Sequence, residues 1–180
     1  MVDNGSGPWV VRSLDVLAAC EPRFVVIGAG ARQVAPLVPS DVHVVTNPDY
    51  QQGMGSSLRA GLTALTALTS VTTRTAQHAE PPIDAVLVML VDLPGVGPDV
   101  VARILRAAGS DHVRSALLRA AFDGQPGHPV FLGRDHWEGV TAAATGDRGA
   151  REYLSGQPVR LVECADIGSG IDVDRPGGHR

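Results

Sequence analysis

The chain is poor in cysteine, in clustered charge and in long apolar runs, and each shortage removes a class of function. Its two cysteines, Cys20 and Cys164, are far apart in sequence, form no metal-ligand spacing and sit in apolar surroundings. They read as buried free thiols, and no disulfide framework points to an oxidising compartment. The formal net charge is −4 and no basic block occurs, which argues against nucleic-acid binding. No run of like charges marks a tail. No apolar stretch approaches ~20 residues, so no membrane span is read. The N-terminus lacks a basic-then-apolar leader, and cytoplasmic location is the expectation.

What is present is a chain of 180 residues, 44% hydrophobic. That suffices for one domain, 1–180, with a core of its own and no disordered composition. Its most informative stretch is 85–98. Seven apolar residues, Ala85 to Val91, run into a single carboxylate, Asp92, before Pro94 and Gly95 end the run. This predicts a strand over 85–91, buried on both faces as in a parallel α/β sheet. An acid at the carboxyl end of such a strand stands where open α/β sheets bind ligands, and where a divalent metal is held against phosphate. Helix capping is the plain alternative for Asp92, but Gly97, Pro98 and Asp99 suit that helix start better.

The remaining pattern alternates. Helices are expected over 8–20, 31–38, 98–108, 134–144 and 147–154, and strands over 24–27, 42–45, 115–121, 129–132 and 159–164. Gly53-Met54-Gly55-Ser56-Ser57 opens a further helix to about Leu68, with Ser56 or Ser57 as N-cap and Leu58, Leu62 and Leu65 as its buried stripe. Residues 69–82 read as a surface loop and 177–180 as a disordered tail. Asp123-Gly124 is a hairpin turn, and its strand pair is expected as an antiparallel edge on a parallel sheet. Trp137 reads as core. Together these give an α/β three-layer sandwich.

The order of motifs carries a resemblance. Asn47-Pro48 leads through Gly53-Met54-Gly55-Ser56-Ser57-Leu58 to Leu90-Val91-Asp92-Leu93-Pro94. Gly127-His128-Pro129-Val130, Gly146-Asp147-Arg148-Gly149-Ala150-Arg151 and Asp172-Val173-Asp174-Arg175-Pro176 follow. Over about residues 8–176 the chain resembles the MobA-like nucleotidyltransferases, and within them the molybdenum cofactor cytidylyltransferase branch. The resemblance implies a Rossmann-like fold and transfer of a nucleotidyl group, CMP from CTP, to the phosphate of molybdopterin, with release of pyrophosphate. Related branches use GTP or other acceptors. It further implies a molybdoenzyme or its chaperone as a partner.

It also implies Mg²⁺, held by Asp92 and by the C-terminal D-x-D-x-P motif, with Asp174 as the register match and Asp172 in reserve. Turn capping is the alternative for both. The chemistry is consistent. A phosphate monoester is a dianion near neutral pH and needs no general base, only charge neutralisation and in-line positioning. Gly53 and Gly55 let backbone pass close to a ligand, and the helix behind them aims free N–H groups at it. Ser56 and Ser57 can read a base edge or ribose, with plain N-capping the equal alternative for each. His128 faces the acceptor pocket or is structural. Arg148 grips a phosphate, or pairs with a neighbour while Asp147 caps the helix.

One family signature is missing: a first strand followed by L-A-A-G-x-S-x-R-M-G, the loop that wraps the triphosphate. The start, Met1 to Pro8, matches the segment after that loop, so the expectation is a chain beginning downstream of its true start. A central strand lost there would strip ladder partners from both neighbours and weaken nucleotide binding. The competing expectation is a non-catalytic nucleotide- or cofactor-binding module. An NAD-binding domain has only Gly28-Ala29-Gly30 in its favour, and Gln33 breaks that fingerprint.

Overall fold

The computed structural model describes residues 7–72 and 82–172. Six helices and six strands alternate among them. In chain order they are α1 (Trp9–Val16), β1 (Arg23–Ile27), α2 (Ala31–Val34), β2 (Val42–Thr46), α3 (Met54–Thr72), β3 (Ala85–Val88), α4 (Pro98–Ala108), β4 (Leu117–Phe122), β5 (Gln125–Gly133), α5 (Trp137–Ala143), α6 (Arg151–Ser155) and β6 (Arg160–Glu163). The α/β, three-layer reading holds. Val86, Val88, Leu117, Val130 and Leu132 face α3, α5 and α6, whereas Leu87, Leu118, Ala120 and Phe131 face α4. Neighbouring residues on one strand serve opposite faces, as the pleat requires.

The strands lie in two separate pieces. β1 and β2 pair in parallel, with Val25 opposite Val44. The second piece runs β3-β5-β4-β6. β5 is antiparallel to β3 and β4, and β6 is parallel to β4. The antiparallel strand is thus interior, not at the edge as expected, because the hairpin tucks β5 between β3 and β4 and leaves β6 outermost. The turn itself is as read. Phe122 pairs with Gln125 across a two-residue loop in which Asp123 and Gly124 both have positive φ, 52° and 75°. The Glu163 carboxylate accepts the backbone N–H groups of both turn residues, which pins the hairpin tip to β6.

Between the two pieces lies a gap with the inner edges of β1 and β3 on either side. An open cavity of about 1050 Å³ includes it, walled by Val25, Val26, Val86 and Leu87. α3 covers one face, its Gly61 close enough to β1 that a Cβ there would lie 3.1 Å from a Val26 methyl. α1 packs across the other face, with Val10 and Leu14 on Val25 and Val42, and the Ser13 hydroxyl donating to the Val91 carbonyl at 3.2 Å. Among the described residues β1 pairs with β2 alone and β3 with β5 alone, so each has one edge without a ladder partner.

The gap also explains why β3 stops at Val88 and is only half-buried throughout, where a strand to Val91 buried on both faces was expected. Other boundaries move for local reasons. Pro36 turns the predicted 31–38 helix into α2 plus a 3-10 turn at Ala35–Leu37. Residues 69–72, expected in a loop, extend α3, and the Thr66 and Thr69 hydroxyls donate back to carbonyls of the preceding turn. The rest of that loop and the C-terminal tail lie outside the described residues. The predicted 134–144 and 147–154 helices each begin with a 3-10 turn, so Ala150 and not Asp147 precedes α6. α4 starts as read, with Gly97 as N-cap, Pro98 in the first turn and Asp99 beside it. Trp137 is buried and donates its indole N–H to the Leu132 carbonyl at 3.0 Å. Cys164 is buried and Cys20 half-buried, both free, and burial raises both thiol pKa values. No helix among the described residues is long and apolar enough to cross a membrane.

Candidate nucleotide site

Ser57, His128, Arg148 and Asp172 line one open cavity, and Asp92 lies beside it in the chain, between Val91 and Leu93, which line it. Asp92 stands in the turn after β3, between exposed Val91 and buried Leu93. One of its carboxylate oxygens, Oδ1, is shielded from solvent and has no hydrogen-bond partner. An enclosed, unsatisfied carboxylate oxygen is costly unless a cation or donor meets it. The donor set at this point therefore fits a hard divalent ion.

The second carboxylate arrives from the chain end. Ser169 donates its backbone N–H to the Gly95 carbonyl at 2.9 Å, and a Cβ on Gly95 would lie 2.7 Å from the Ser169 oxygen. This contact lays the segment 168–172 alongside the Asp92 turn and brings exposed Asp172 to the cavity rim. Asp174 lies outside the described residues. Among the described residues no cluster of three or more His, Cys, Asp or Glu side chains could hold a metal. A cation here would rest on Asp92 and Asp172 with substrate oxygens completing its shell.

The Asn47–Ser57 loop works differently from the expectation. Asn47 is buried and acts as the hub. Its Oδ1 accepts the Asp49 backbone N–H at 3.0 Å, while its Nδ2 donates to Ser56 Oγ at 2.8 Å and to Ser57 Oγ at 3.1 Å. Ser56 is buried, and its hydroxyl reaches the carbonyls of Asp49 and Gly53. It sits in the first turn of α3, so neither serine is the N-cap. Ser56 staples the loop, and half-buried Ser57 is the one that lines the cavity.

Gly53 and Gly55 likewise serve packing. A Cβ on Gly53, at φ 93°, would fall 2.5 Å from the Gly146 carbonyl carbon and from the Asp147 carboxylate; one on Gly55 would fall 2.8 Å from Ala144. The glycines let the start of α3 press on the 144–147 backbone. Arg59 strengthens the joint by donating to the Ala144 carbonyl.

The cavity also takes in His128 and Arg148. Arg148 is exposed and lies 3.7 Å from Glu152, so a neighbour pair is what forms. His128 stands where β5 runs past the end of β3, beyond the Val88–Val130 pair. Burial, then the charges of Arg119 and Arg151, depress its imidazole pKa to about 4. Arg119 and Arg151, which the motif reading did not assign, line the same space. The available signal for Arg119 was a lone cation inside the apolar run Leu117-Leu118-Arg119-Ala120-Ala121.

Residues 1–162 match the family model described as the MobA-like NTP transferase domain. The chain is 31% identical over 166 residues to a nicotine blue oxidoreductase of Paenarthrobacter nicotinovorans, an alignment covering 88% of this chain and 74% of that protein. Its fold is shared by the crystal structure of a homologue of Mycobacterium tuberculosis Rv0371c from Mycobacterium sp. strain JC1, with a TM-score of 0.72, 21% identity, and coverage of 97% of this chain and 80% of that one. It is shared too by Rv0371c of M. tuberculosis H37Rv in a complex with manganese, with a TM-score of 0.65, 21% identity, and coverage of 91% and 80%. The chain belongs to the MobA-like NTP transferase family.

Proposed function

We propose that this protein is a nucleotidyltransferase that moves CMP from CTP to a phosphorylated acceptor such as molybdopterin and releases pyrophosphate. The observation that carries the reading is the enclosed, unpartnered Asp92 oxygen in the turn after β3; its chain neighbours Val91 and Leu93 line the cavity that Ser57, His128 and Asp172 also line. Family membership supports the reaction class, and the manganese bound by the similar fold supports a divalent ion.

The chemistry asks little of the protein beyond positioning. The acceptor phosphate is already charged at neutral pH and attacks the α-phosphate without a base. Asp92 and Asp172 are the residues that would hold Mg²⁺, which supplies charge neutralisation for the phosphates. Ser57, its oxygen already accepting from Asn47, keeps a hydroxyl proton to offer a base edge or ribose. Tight placement on a rigid rim supplies most of the remaining acceleration.

The test is pyrophosphate release from CTP and from GTP, each with and without molybdopterin, in Mg²⁺ or Mn²⁺. Release that needs both CTP and molybdopterin supports the proposal, and silence with every nucleotide overturns it. The split sheet favours a second reading, a module that binds nucleotide or cofactor without turnover; saturable CTP binding with no pyrophosphate would select it. A parallel arm offering nicotine blue as substrate covers the activity named for the 31% identical relative.

A further inference from the structure

A second polar cluster in the cavity lies apart from the Asp92 turn. Arg119 is half-buried on β4, facing the α3 side with Leu117. Its Nε donates to the Gly127 carbonyl at 3.2 Å, and among the described residues no carboxylate lies in ion-pair range of it or of Arg151. Gly127 is the residue before His128, so that bond ties the guanidinium to the His128 end of β5. Arg151 opens α6 over the same space and is close enough for its charge to bear on both Arg119 and His128. Two uncompensated guanidinium groups and an imidazole thus converge in one cavity.

Such a grouping is unfavourable by itself. Half-burying Arg119 without a counter-ion is costly, and the nearby like charge of Arg151, itself exposed, adds to that cost. The nearby charges do not balance it: Arg148 is taken up with Glu152, and Asp147 and Asp172 line the cavity without bridging to either arginine. An oxyanion would relieve the cluster. The chain has no lysine, so every cation it can offer a phosphate is a guanidinium, the group whose fork matches phosphate oxygens two at a time. His128, neutral near pH 7 with a pKa of about 4, adds an N–H without adding charge.

We propose that Arg119, Arg151 and His128 form the subsite for the anionic end of the acceptor, a phosphate monoester. The inference rests on the transferase reading for the word acceptor, but the oxyanion subsite stands on its own geometry. It separates the two substrates: the nucleotide lies on the Ser57 side of the cavity and the acceptor phosphate on the β4–β5 side.

The probe is phenyl phosphate, titrated against the intact chain by calorimetry, with benzyl alcohol as the uncharged control. Saturable binding of phenyl phosphate alone is expected, weakened about tenfold or more by Arg119→Gln and by Arg151→Gln, as loss of a charge-assisted fork requires. Arg106→Gln is the control, since Arg106 lies on α4 and reaches only the Ala102 carbonyl. Circular dichroism and thermal melts confirm that the variants fold. The His128 ring resonances should shift with phenyl phosphate and stay put in Arg119→Gln. Saturating CTP should leave phenyl phosphate affinity unchanged or tighter. No saturable binding up to about 10 mM, or equal affinity in Arg119→Gln, overturns the subsite. Competition by CTP assigns it to the nucleotide and overturns the acceptor role. Because the readout is binding, a failure of pyrophosphate release leaves this result legible.

Discussion

Asn47 donates a buried hydrogen bond to Ser56 Oγ at 2.8 Å, and the Ser56 hydroxyl in turn reaches the carbonyls of Asp49 and Gly53. This pair closes the loop from β2 onto α3, so the position of Ser57 depends on Asn47. Asn47→Ala leaves Ser56 with unmatched partners in a buried site. A loss of about 1–3 kcal/mol in unfolding free energy is expected, measured by denaturant titration. CTP affinity should fall in the same variant, because Ser57 loses its anchor. Unchanged stability would remove the hub role.

Asp92→Asn keeps the shape of the side chain and removes its charge. The fold should persist, with a melting temperature at or slightly above that of the parent, since the enclosed oxygen has no partner to lose. Turnover should disappear along with any dependence on divalent metal. Unfolding of this variant would instead assign Asp92 a structural role.

Gly53→Ala tests the joint between α3 and the 144–147 loop. The new methyl would meet Gly146 and Asp147 at 2.5 Å, on a backbone with φ of 93°. Both strain and overlap oppose it, and a destabilisation of about 2 kcal/mol or more is expected in thermal or denaturant unfolding. Gly97→Ala is the contrast, because a Cβ there meets nothing within 4 Å.

His128 makes stability pH-dependent. Folded, its pKa is about 4, because burial and the charges of Arg119 and Arg151 disfavour the imidazolium. Unfolded, it titrates in the ordinary histidine range near 6.5. Between the two values the unfolded chain binds a proton that the folded chain refuses. This stabilising contribution is present above about pH 6.5 and is lost as pH falls towards 4, by up to about 3 kcal/mol. Denaturant midpoints over that window should fall steeply in the parent and flatten in His128→Gln.

Among the described residues the inner edges of β1 and β3 have no ladder partner, which predicts a pattern of amide exchange. Amides of β4 and β5, paired on both sides, should be the slowest to exchange. Those on the gap side of β1 and β3 should exchange orders of magnitude faster, as unprotected edges do. Equal protection across all six strands, read by hydrogen–deuterium exchange, would contradict the divided sheet.

The element order was legible in the residues because hydrophobic periodicity and turn chemistry are local. Asp123-Gly124 specified its hairpin through two positive φ values, and Gly97-Pro98-Asp99 specified the start of α4 through first-turn chemistry. The family was legible for a different reason, the resemblance of the motif order from Gly53-Met54-Gly55 to Asp92 to that of known members. Roles were less legible where they depend on a distant partner. Gly53 and Gly55 also pack against Gly146 and Ala144, about 90 positions away in the chain, which no local pattern announces.

The amino-acid sequence by itself determined the α/β class, the order of strands and helices, and the placement of Asp92 after an apolar strand. Those follow from short-range patterning that one segment carries alone. Only the tertiary structure decided that β5 lies inside its sheet, that the sheet is divided between β1 and β3, and that Arg119, Arg151 and His128 converge. Each of these is a meeting of segments whose spacing along the chain is unrelated to their spacing in the fold, and long-range packing, not local propensity, sets it.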